Sequence, residues 1–160
     1  NIVVENCDMK DGHGGVVMGS EISAGVRNVY VRNCKMDSPE LDRAIRIKTN
    51  TLRGGFVENV FVKNIQVGQV KESVLRINTY YGIYGTQEGG FMPTIKNIHL
   101  EDITVENGGK YGILIKGRPE KLVENVTLTN VHIKKAETDL SVENSEPIKF
   151  KNTTINGKQY

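Results

Sequence analysis

Tryptophan is absent from this 160-residue chain, cysteine occurs twice, proline four times, and neither sign of charge dominates. Two cysteines, Cys7 and Cys34, are too few for a disulfide scaffold and too few by themselves for a zinc site. No metal-ligand motif or cofactor motif accompanies them. Lysine and arginine total 21 against 19 acidic residues, a formal net charge of +2. That balance lacks the concentrated basic face of a nucleic-acid binder, although it is compatible with an acidic ligand. No apolar run approaches the ~18 residues that span a membrane, and no charged-then-apolar signal segment opens the chain. The first residue is Asn1, already inside a strand that reads as a middle rung, so we expect the C-terminal part of a longer repeat protein.

What the chain does have is a repeat. Five segments align without gaps: NIVVENCDM from Asn1, NVYVRNCKM from Asn28, NVFVKNIQV from Asn59, NIHLEDITV from Asn97 and NVTLTNVHI from Asn125. Each opens with asparagine and carries apolar residues at its second, fourth, seventh and ninth positions. Alternation of this kind marks a strand with one buried face. The jump from the fourth to the seventh position breaks the alternation, so the chain must bend there. The sixth position holds Asn6, Asn33, Asn64, Asp102 and Asn130, residue types that tolerate the left-handed conformation of a tight bend.

A second strand follows each first one: GVVMGS from Gly15, AIRIKT from Ala44, SVLRIN from Ser73, YGILIK from Tyr111 and DLSVEN from Asp139. The repeat starts at 1, 28, 59, 97 and 125 are 27, 31, 38 and 28 residues apart, so loops stretch while strand positions hold. A partial copy, PIKFKNTTING, begins a sixth turn. The segments are rich in Val, Ile, Thr and aromatics and punctuated by Gly and Asn, which argues against helices. A solenoid explains one asparagine-flanked pattern repeated; a sandwich does not. These features predict an all-β, right-handed parallel β-helix of about five to six coils, forming one domain over residues 1–160. The longest interval contains YYGIYGTQEGGFMP, expected to be an extended surface loop.

Two short motifs could carry chemistry. Gly12-His13-Gly14 places an imidazole just ahead of a second strand, where glycines admit close approach; a histidine in a flexible turn would look the same. One coil later, in RAIRIKT, Ile45 and Ile47 point inward and Arg46 and Lys48 outward. Such a pair can grip one carboxylate, the arginine as a fork and the lysine as a point charge, or simply be a solvated strand face. The repeat brings His13 and this pair to one face of neighbouring coils, which favours a shared site.

With both motifs in this order, the sequence resembles glycoside hydrolase family 28, the polygalacturonases, most specifically over Gly12–Gly55. The resemblance implies a right-handed parallel β-helix that hydrolyses α-1,4-galacturonosyl linkages in pectin with inversion, and similarity to bacterial members suggests exo action. It also implies an acidic polysaccharide as partner, no cofactor, and a secreted or periplasmic location. By the same resemblance, His13 orders the active site near the catalytic carboxylates, and Arg46 and Lys48 bind a galacturonate carboxylate. A tyrosine of the next coil joins them: Tyr81, with Tyr80 and Tyr84 as rivals, though surface aromatics would look alike. The family's Asn-Thr-Asp and Asp-Asp motifs do not occur here, so the isolated chain is expected to be inactive. Asp8, on another strand, and Asp11, in a bend, are not substitutes. The alternative is a non-catalytic β-helix, either carbohydrate-binding or structural like an adhesin or tailspike; a related lyase would need an acid cluster that is not seen.

Other polar residues read as structure. Cys7 and Cys34 share the seventh position and are expected to stack inward, reduced and buried, a bridge being the strained alternative. His99 and His132 are expected outward and solvated, and Lys134 and Lys135 read as surface charge.

Overall fold

The computed structural model describes residues 1–82 and 88–160, and among them there are strands and turns but no helix. The first coil comprises β1 (Ile2–Glu5), β2 (Asp8–Met9) and β3 (Val16–Met18). The second holds β4 (Val26–Met36) and β5 (Arg43–Lys48), and the third β6 (Phe56–Gln69) and β7 (Ser73–Asn78). Then follow β8 (Thr94–Asn107) with β9 (Tyr111–Lys116), and β10 (Glu124–Ile133) with β11 (Thr138–Glu143). A partial sixth coil, β12 (Lys149–Lys151) and β13 (Thr154–Ile155), ends in β14 (Lys158–Gln159), which folds back antiparallel on β13.

Every other pairing between strands is parallel and joins neighbouring coils. One sheet runs β1-β4-β6-β8-β10-β13-β14, with β2 on β4 and β12 on β10; the other runs β3-β5-β7-β9-β11. The result is a right-handed parallel β-helix, the hand expected of parallel crossovers.

The register puts like on like. Val29, Val60, Ile98 and Val126 are successive partners, as are Cys34, Ile65, Ile103 and Val131, and all eight are buried. In the second sheet Ile45, Leu75 and Ile113 form one interior ladder and Ile47, Ile77 and Ile115 another. Each such side chain removed from water contributes about 1.5–3 kcal/mol, and the alternate residues are left on the outside.

Asparagines set the corners. The predicted bends at Asn33, Asn64, Asp102 and Asn130 have φ between 53° and 55°. The opening asparagines Asn28, Asn59, Asn97 and Asn125 adopt the same conformation, with φ between 51° and 58°, so each long strand turns twice. Their side chains then bond from coil to coil: Asn59 Nδ2 donates to Asn28 Oδ1 at 3.0 Å, Asn97 to Asn59 at 2.9 Å and Asn125 to Asn97 at 2.8 Å. At the other corner Asn64 donates to Asn33 at 2.8 Å and Asn130 to Asp102 at 2.7 Å. The amide carries a donor and an acceptor on one planar group, so a stack can pass the bond along.

Three expectations need correction. Cys34 is buried but Cys7, in the first coil, is exposed; both thiols are free. His99 and His132 point outward yet are half-buried and bonded rather than simply solvated. His99 stacks on Phe61, itself stacked on Tyr30, with ring centroids 5.1 and 5.3 Å apart. Its Nδ1 lies 2.7 Å from Thr127 Oγ1, and His132 Nδ1 lies 2.9 Å from Thr154 Oγ1. The in-register stacking that fills the interior also builds ladders on the outside. Lys134 and Lys135 are exposed, and Lys134 is paired with Glu106.

Asn59 combines left-handed backbone with two ladder bonds. Asn59→Ala should lower the unfolding free energy by about 2–3 kcal/mol, and Asn59→Gly by about 1 kcal/mol, because glycine regains the backbone conformation but not the bonds. Urea denaturation measures both. Equal losses would remove the backbone from the explanation.

Candidate functional site

The outer face of the second sheet is where the two motifs meet. On β5, Arg46 and Lys48 are half-buried and point away from the interior, between the fully buried Ile45 and Ile47. The segment Asp11–Gly15 runs into β3 beside them. Gly12 has φ of +104°, a conformation open to few side chains. A Cβ on Gly14 would come within 2.7 Å of Val17 and 3.5 Å of Arg46 Cβ, so the glycine lets this segment lie flat on the arginine stem. Arg46 Nη1 accordingly donates to the His13 carbonyl at 3.4 Å.

His13 itself is exposed, but its ring is tied. Nδ1 lies 3.1 Å from Asp42 Oδ2, and the same oxygen accepts from Arg43 Nη1 at 3.2 Å. Nε2 is left to face solvent. Burial pushes the Asp42 carboxyl up, but the His13 hydrogen bond and the charges of Arg43, His13 and Lys71 outweigh it and hold the group below its ordinary value. Asp42 stays ionised.

Tyr81 stands over the cation pair. Its ring centroid is 4.5 Å from Lys48 Nζ and 5.4 Å from the Arg46 guanidinium carbon. The coil above pins its backbone: Tyr81 N–H donates to the Thr49 carbonyl at 2.9 Å, and Asn50 Nδ2 donates to the Tyr81 carbonyl at 2.9 Å. The neighbouring Tyr80 turns the other way, its ring 3.9 Å from the buried Arg118 guanidinium and 5.2 Å from Lys116 Nζ. Arg118 also donates to the Thr79 carbonyl at 3.2 Å and pairs with Glu88 at 3.3 Å. Tyr84 lies outside the described residues.

The sheet register extends this wall. Arg46 is the cross-coil partner of Arg76 on β7, and Lys48 is that of Asn78, whose next partner is Lys116. Burial, Arg43 and Arg46 push the Arg76 guanidinium pKa down; burial and Arg43 do the same to Arg46. Both remain charged at any ordinary pH. Asp42, Arg43 and Arg76 were missed as site residues. Asp42 and Arg76 were both legible, had the repeat alignment been read across coils instead of along the strand.

A wall of this kind can bind carboxylates and order them against a flat aromatic face. By itself it offers no pair of carboxyl groups for acid–base work. Asp11 accepts a hydrogen bond from Ser38 Oγ in its bend, and Asp8 sits on the first sheet opposite Lys35. Among the described residues no cluster of three or more His, Cys, Asp or Glu could hold a metal ion.

Fold and wall together define a class: a parallel β-helix with a row of outward cations on one of its sheets. The family model of glycosyl hydrolases family 28 matches residues 1–155, and the chain belongs to that family. A polygalacturonase of Ralstonia nicotianae is 34% identical over 93 residues, covering 57% of this chain and 17% of the relative. A probable exopolygalacturonase B of Aspergillus niger is 27% identical over 145 residues, 83% of this chain and 33% of the relative. The crystal structure of a hyperthermoactive exopolygalacturonase from Thermotoga maritima superposes with a TM-score of 0.90 at 33% identity, covering 99% of this chain and 35% of that one. The chain thus spans about a third or less of the length of these relatives.

The Asp42–His13 contact makes a pH prediction. A carboxyl whose folded pKa is depressed contributes stability above its unfolded value, and that contribution disappears as pH falls through the folded value. The stability difference between the native chain and Asp42→Asn should therefore be at full size near pH 5 and shrink below about pH 4. Urea unfolding at each pH reads it. A difference unchanged down to pH 2 would contradict the ionised contact.

Proposed function

We propose that this chain forms the carboxylate-binding wall of the active-site groove in a polygalacturonase-type hydrolase that cuts α-1,4-galacturonosyl linkages with inversion. The observation that carries the reading is Arg46 and Lys48 side by side beneath the Tyr81 ring. A galacturonate carboxylate fits that pair as a bidentate partner of the guanidinium and an ion partner of the ammonium. The sugar ring, whose C–H face is apolar, rests against the tyrosine.

Inverting hydrolysis uses one carboxylic acid to protonate the leaving oxygen and one carboxylate to activate water, the two about 6.5–9.5 Å apart. In this reading both come from outside these 160 residues, from coils continuous with the first. The chain is then one domain-sized part of a longer β-helix. His13 directs its free Nε2 toward those groups while Asp42 fixes the ring. Two of the relatives are exopolygalacturonases, which favours exo action, the outcome that a groove closed at one end would produce.

In a longer protein carrying this segment, Arg46→Ala or Lys48→Ala should lower polygalacturonate hydrolysis about ten- to a hundredfold, the worth of one charge-assisted contact. The thermal midpoint should barely move, because both side chains lie outside the core. Loss of stability in step with activity would assign the pair to the fold and not to substrate. The 160-residue chain alone should release no reducing sugar from polygalacturonate, and measurable release would overturn the assignment of acid and base to other coils.

A further inference from the structure

Arg76 is the one arginine on the wall with neither a hydrogen bond nor an ion pair to any described residue, although it is half-buried. Its position explains why that is unusual. It sits on β7 directly beneath Arg46, at the coil spacing of about 4.8 Å, with its outward direction fixed by the buried Leu75 and Ile77 on either side. Its partner on the far side is Leu114, which brings no charge. Asp42 is engaged with His13 and Arg43, and Glu143, two coils on, acts on the Arg76 charge only from beyond ion-pair distance. Burial and the charges of Arg43 and Arg46 push its guanidinium pKa down, which registers the crowding of like charges. Partly desolvated cations stacked without a direct ion pair are costly, and an anion bound between coils lowers that cost.

We infer that Arg76 is a second carboxylate anchor, one coil along from Arg46 and Lys48, and that the wall selects a ligand with two adjacent free uronate groups. The inference rests on the proposed function for the nature of the ligand, but it assigns Arg76 a task of its own. Arg46 and Lys48 take one carboxylate and Arg76 takes that of the neighbouring sugar. A methyl ester at that neighbour removes the charge and leaves the guanidinium unpaired, so the residue sets a preference for unesterified chain beside the first bound sugar. Its outward neighbour Asn78, partner of Lys48, supplies an amide that can bond a sugar hydroxyl at the same level.

The test is calorimetric or NMR titration of the chain with galacturonate, digalacturonate and the methyl ester of digalacturonate. The native chain should bind digalacturonate at least about tenfold more tightly than galacturonate, and the ester should lose that gain. Arg76→Met keeps the apolar stem and should abolish the gain from the second sugar while leaving galacturonate binding unchanged. Arg76→Lys should retain part of it, a charge without the fork, and its folded state is checked by its melting curve. Arg46→Ala should weaken both ligands. If Arg46→Ala weakens binding but both Arg76 variants bind digalacturonate as the native chain does, Arg76 is no anchor and the proposed function stands. If the native chain binds none of these sugars, that function falls, and this inference falls with it.

Discussion

Register between coils is the constraint on which the rest of this molecule depends. Parallel backbone ladders hold neighbouring coils about 4.8 Å apart, and the asparagine side chains at both corners repeat the same bond at the same spacing. A slip of one residue would turn every inward valine and isoleucine to solvent. It would also bring a neighbouring charged or apolar residue, less tolerant of that conformation, to the left-handed corners that asparagine now occupies. Burial and corner chemistry therefore specify one alignment jointly, and loops of different length are tolerated between them.

The candidate site is a by-product of that alignment. Strand alternation sends Arg46 and Lys48 outward because Ile45 and Ile47 go inward, and the ladder sets Arg76 and Asn78 beneath them. Nothing local to β5 makes a binding wall. The wall arises when three coils present their outward residues in rows, with Gly12–Gly14 lying on one side and the Tyr81 ring on the other. Tyr81 illustrates the economy of the arrangement, since the Thr49 carbonyl and the Asn50 amide fix its backbone from the same coil that supplies the cations.

Much of this was legible in the residues. The positions of Asn33, Asn64, Asp102 and Asn130, where alternation fails, marked corners that the structure has, and the outward direction of Arg46 and Lys48 followed from period two. The opening asparagines were visible as a pattern but not as bends, because a residue at the head of an apolar run does not interrupt the alternation. Cys7 misled for a different reason: the repeat makes it equivalent to Cys34, whereas burial is set by what packs against a side chain and not by its place in the repeat. His99 looked solvated because an outward residue usually is; its burial comes from Phe61 and Thr127, which lie 38 residues before and 28 after it.

By itself, then, the sequence determined the solenoid, its corners and its inward ladders, because these follow from periodicity, a property of neighbours along the chain. Only the tertiary structure decided which outward residues meet. The distance from His13 to Asp42, the place of Tyr81 over Lys48 rather than that of Tyr80, and the unpaired state of Arg76 all depend on loop lengths and side-chain directions across coils. Those contacts join residues about thirty positions apart, and no local pattern encodes the path of the loop between them.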